Sequence, residues 1–113
     1  MIETLTATLP DGAKLPVSAY AAGAPLPTNA GVYFFLRKDV LGWSILYIGE
    51  ALNLDERSGK GLNCHEKKAA AVRLGISHVG VIALVPTAAN SRFELEKRLC
   101  RAFQPPLNKL LVR

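Results

Sequence analysis

Cysteine is scarce and long apolar runs are missing, and each shortage closes a set of options. Cys64 and Cys100 are the only cysteines among 113 residues, and there is no CxxC pair. That spacing fits neither a disulfide framework nor a redox motif. His65 and His78 bring the metal-type ligands to four, but the adjacency of Cys64 and His65 is unlike the ligand pairs of zinc sites. No apolar run approaches the ~18 residues that a membrane-spanning helix needs. The first residues carry no charged segment followed by an apolar block, so secretion is not expected and a reducing cytoplasm is. Acid is also in short supply, with Asp+Glu 9 against Lys+Arg 14 and a formal charge of +5. Such a balance suits a polyanionic partner and equally an ordinary basic surface.

Half of the residues are apolar, enough for one layered core. Residues 3–8 alternate polar and apolar, meet Pro10-Asp11-Gly12, and resume an extended pattern at Lys14, which predicts a β-hairpin. Residues 21–30, with Gly23, Pro25 and Pro27, read as a connector. Residues 1–30 thus form an N-terminal extension before a domain over 31–113. Val32–Leu36 and Ser44–Ile48 read as strands joined by an Arg37–Trp43 loop. An antiparallel register opposing Phe34 to Leu46 and Tyr33 to Tyr47 puts both phenols on one face.

Asn53 caps a short helix that Gly59 and Gly61 end. A second helix is predicted over 64–74 with Gly75 as its stop, and a strand over Ile76–Val85 closed by Pro86. Ser91 and Glu94 form a capping-box pattern opening a third helix, with a buried stripe of Phe93, Leu99, Cys100 and Phe103 and a stop at Pro105-Pro106. The fold class is α/β (α+β): a small three-stranded antiparallel sheet flanked by helices, with the extra hairpin in front.

Candidate chemistry is spread over these elements. Cleaving a phosphodiester needs an activated water, charge stabilisation and help for the leaving oxygen. Tyr33, Tyr47, Arg57 and Glu94 offer polar groups for such work. Gly31-Val32-Tyr33, Tyr47-Ile48-Gly49, Asn53-Leu54 with Arg57, Glu94 on a helix and Pro105-Pro106-Leu107-Asn108 follow one another in order. This set resembles the GIY-YIG nuclease superfamily over residues 31–108.

The resemblance implies a DNA endonuclease using one divalent ion, Mg²⁺ or Mn²⁺. Glu94 would ligate the metal and Arg57 would bind the scissile phosphate. Tyr33 would position or deprotonate the water, with Tyr47 assisting. Gly31, Gly49 and Asn108 would be structural at the site. His65 is the nearest counterpart of the histidine that many members carry after the arginine; its alternative is a surface or helix-terminal residue. Glu50-Ala51 stands where members often have Lys, Ser or Gln with Thr.

A phenol titrates near pH 10, so water positioning suits Tyr33 better than base catalysis. Glu94 has two ordinary readings, the capping box and an ion pair with Arg98. Lys60, Lys67, Lys68 and Arg73 read either as a DNA-binding surface or as a solvated helix face. The expected partner is DNA, not a membrane. Residues before 30 leave room for a second copy or a separate DNA-targeting partner. The alternative function is a GIY-YIG-type nucleic-acid-binding module without turnover, and a third class is a small assembly protein.

Overall fold

The computed structural model describes residues 2–84 and 89–108. Five strands, β1 (Glu3–Thr8), β2 (Lys14–Ala21), β3 (Ala30–Asp39), β4 (Gly42–Ala51) and β5 (His78–Leu84), form one sheet. Its order is β1-β2-β5-β3-β4, every pairing is antiparallel, and the sheet curls into a half-barrel. The expected three-stranded sheet is therefore corrected. β2 runs on to Ala21 and its Ser18–Ala21 stretch pairs with Val81–His78 of β5. The reason lies in the burial pattern: Val17 and Ala19 are buried beside Val32, Phe34 and Leu36, so the hairpin carries part of the core and cannot stand apart.

Three helices accompany the sheet: α1 (Leu54–Ser58), α2 (Lys68–Arg73) and α3 (Ala89–Phe103), with a 3₁₀ turn over Leu62–Cys64. Alternate residues of β3 feed the two faces. Tyr33 and Phe35 pack with Leu54, Leu62 and Ala71, while Val32, Phe34 and Leu36 pack with Leu99 of α3. Asn53 is extended, and its Oδ1 accepts from the Glu56 N–H at 3.0 Å, which starts α1. Gly75, at φ 89°, stops α2, which starts at Lys68 rather than at the expected 64; Cys64 ends the 3₁₀ turn and 65–67 are not helical.

Other details differ from the sequence-based expectations. The two long strands reach Asp39 and start again at Gly42, so Val40-Leu41 replaces the expected seven-residue loop. Tyr33 opposes Gly49, and Phe35 opposes Tyr47. The expected register is off by an even step, which keeps both phenols on one face. A bulge then shifts the pairing so that Leu36 opposes Ile45. The extra residue, Leu46, turns its carbonyl to the Leu107 N–H.

α3 already includes Ala89, so Ser91 and Glu94 lie inside the helix and the capping box is not formed. Phe93 is 45% exposed, and the inward stripe is Arg92, Leu95, Leu99, Cys100 and Phe103. The expected strand end at Val85 and its stop at Pro86 lie outside the described residues. Among the described residues no helix is long and apolar enough to cross a membrane.

Candidate active site

β3 and β4 set the floor of the site. A side chain at Gly49 would strike Cζ and Oη of Tyr33, so the phenol lies flat across a position that must lack a Cβ. At Gly31 a Cβ would strike the Ile82 carbonyl, which makes this glycine a condition of the β3–β5 approach. Tyr33 and Tyr47 stand with ring centroids 6.1 Å apart.

Above them sits His65, brought in by the 3₁₀ turn and 4% exposed. Its Nδ1 accepts the Lys67 backbone N–H at 3.0 Å. A neutral imidazole has one donor nitrogen and one acceptor, so Nε2 carries the hydrogen. Nε2 therefore donates to the Tyr33 oxygen, 2.6 Å away. Burial, helped by the Arg57 charge, lowers the His65 pKa to about 4, so the ring is neutral at pH 7.

The Tyr33 phenol is pushed upward by burial and then by Tyr47, and Arg57 only partly opposes the shift. At neutral pH the phenol therefore keeps its proton. Burial and then Glu66 also raise Tyr47. Arg57, from α1, is held by Glu66 at 2.6 Å; that bond lowers the Glu66 carboxyl to about 2. Glu66 is a site residue that the sequence reading missed.

On the far side of Tyr47 a groove of ≈ 380 Å³ opens along the β4 edge. Tyr47, Ile48, Glu96, Lys97, Cys100, Arg101 and Asn108 line it. Asn108 fixes this edge: its Oδ1 accepts from the Ile48 N–H and its Nδ2 donates to the Ile48 carbonyl, both at 2.8 Å. The pair of bonds imitates a neighbouring strand where the edge would be bare.

Glu94 is exposed, whereas Glu96 is half-buried in the groove. Two residues along a helix turn through about 200°, so the two acids face opposite ways. Burial, and after it Glu50, raise the Glu96 carboxyl above its usual range, and burial with Glu96 pushes Cys100 up to about 11. A signal for Glu96 was in the sequence. Stepping back from Leu99 by three and by seven residues along the buried stripe lands on Glu96 and Arg92.

Of the four basic residues expected to touch DNA, Lys67 and Lys68 lie two and three positions after His65 and are partly buried. Lys60 and Arg73 are exposed beyond α1 and at the end of α2. Lys97 and Arg101, in the groove, were not expected there.

The donor set bears on the implied metal. Mg²⁺ keeps several waters and takes one or two carboxylates together with substrate phosphate oxygens, and Glu96 beside an open groove suits that pattern. Among the described residues no three His, Cys, Asp or Glu side chains are grouped to hold an ion, so a closed all-protein zinc cage does not fit. No family model matches the chain, and neither does a curated protein or a solved structure.

Proposed function

We propose that this chain is a GIY-YIG-type, metal-dependent DNA endonuclease that hydrolyses phosphodiester bonds. The observation that carries the reading is the convergence of Tyr33, Tyr47, His65 and Arg57 beside a groove that holds a half-buried carboxylate, Glu96. Glu96 replaces Glu94 as the residue that would hold Mg²⁺ or Mn²⁺. When bound, the divalent ion supplies charge neutralisation at the phosphate and a more acidic water.

The protein's own groups do the rest. His65 fixes the Tyr33 oxygen as an acceptor, which leaves the Tyr33 O–H to orient a water or a phosphate oxygen. Arg57 offers guanidinium N–H groups to the phosphate, in competition with Glu66. Lys97 and Arg101 flank the groove and favour a polyanion. Asn108 keeps the β4 edge in place, and with it Tyr47.

Wild type with Mn²⁺ is expected to cut at least one of supercoiled, linear or branched DNA. Glu96→Ala should lose about a hundredfold or more of that rate, while Glu94→Ala stays within a few-fold. Equal rates for wild type and Glu96→Ala, or no cut on any DNA form, would sink the enzyme reading. The Arg57–Glu66 bond, at 2.6 Å, favours a second reading, a DNA-binding module whose phosphate arm is held internally. Salt-sensitive DNA binding without a metal-dependent product would identify it.

A further inference from the structure

We propose that Glu50 and Arg92 are positioning residues that set the cation affinity of the Glu96 groove, with Arg92 holding Glu50 away from it. The inference rests on the reading of Glu96 as the cation-binding carboxylate. Glu50 follows Gly49 on β4, and its side chain leaves the same face as Ile48, a groove residue. Its Oε2 meets the Arg92 Nε at 3.3 Å, and Arg92 is only 4% exposed. Nη1 of Arg92 is buried and has no hydrogen-bond partner among the described residues.

Arg92 and Glu96 are four residues apart on α3, one turn apart on the same helix face. The guanidinium is bonded to Glu50 and is carried one helical turn from Glu96. In this arrangement Glu50 is paired with Arg92, and of the two acids only Glu96 lines the groove. Two opposite failures follow. Without Arg92, Glu50 is released as a second carboxylate for the same ion. Without the Glu50 charge, Arg92 is released to pair with Glu96 and compete with the ion.

The probe is Mn²⁺ alone, titrated into the full chain without DNA. Paramagnetic broadening of backbone amide signals reports both affinity and location, and detects weak binding. Arg92→Met should bind about tenfold more tightly than wild type, and Glu50→Gln about tenfold more weakly. The double variant should return toward wild type, and broadening should centre on Glu96 and Ile48–Glu50.

Shifts in the same direction, or no shift beyond about twofold, overturn the proposal, as does broadening centred elsewhere. Arg92→Met removes half of a buried pair; if it does not fold, Arg92→Lys should keep wild-type affinity while Glu50→Gln still weakens it. Loss of the Glu50→Gln effect overturns the proposal in that case too. The opposite shifts occurring in a protein that cuts no DNA would leave this inference standing and defeat the nuclease reading alone.

Discussion

His65 is locked by its own turn: the Lys67 N–H occupies Nδ1, so Nε2–H has one role, donating to Tyr33. Its folded-state pKa, about 4, lies below the ordinary histidine value of 6.5. The sign follows from linkage. Between those values the unfolded chain takes up a proton that the folded one refuses, so stability is full above about pH 6.5 and falls as pH drops toward 4. The size is at most about 3 kcal/mol. Urea unfolding of wild type at a series of pH values should show this loss, and His65→Gln should lack it across that window; parallel profiles would remove the assignment. Glu66, held low by Arg57, adds its loss only further down, from its ordinary value of 4.5 toward 2. The two phenols were legible in the sequence because glycine beside tyrosine on neighbouring strands has a local steric meaning. The His65–Tyr33 bond joins residues separated by 32 positions and was not legible, because the 3₁₀ turn that delivers it has no strong sequence signature.

At the scale of the element, α3 carries both a packing face and the groove acid. Leu99 is completely buried, while Phe93 is 45% exposed and lies over the Arg92 guanidinium. Leu99→Ala should cost about 2–5 kcal/mol by leaving a cavity under the sheet. Phe93→Ala should cost about 1 kcal/mol or less, the scale of a partly exposed cation–π contact. Chemical denaturation of both variants checks the ranking, and a reversed order would mean that the helix faces the sheet with its other side. This orientation decides the choice of acid. The pattern Ser91-x-x-Glu94 has the composition of a cap, yet the helix already includes Ala89 and the tertiary stripe overrides the local signal. Helix existence and its apolar residues from Leu99 to Phe103 were readable; its phase at the N-terminal half was not, because Phe93 draws the stripe off by one position.

The whole molecule is one curled sheet, and the hairpin belongs to it. Ala7, Leu9, Val17 and Ala19 share a cluster with Val32, Phe34, Ile48 and Leu99, so hairpin, central strands and α3 bury one another. Ion pairs also cross the curl, Glu3 to Lys38 at 2.7 Å and Asp11 to Arg98 at 2.9 Å, but all four side chains are substantially exposed. Such pairs contribute little, and apolar burial with the β2–β5 ladder carries the union. The sequence hid this because a hairpin followed by a Pro- and Gly-containing connector looks like an appendage. Only the unpaired edge of β5, which no local pattern reveals, calls for β2. The consequence is cooperativity. Trp43 on β4 packs against that cluster, lines one cavity with Leu5–Thr8 of β1 and stacks edge-on with His78 of β5, so its fluorescence reports the closure of the curl. Val17→Asp, which places an unpaired charge in the shared core, should destabilise by about 3 kcal/mol or more. Its Trp43 fluorescence and far-ultraviolet circular dichroism transitions should shift together, as one two-state unit requires. Two separated transitions, with part of the circular dichroism signal lost before the rest, would make residues 1–30 a separate extension after all.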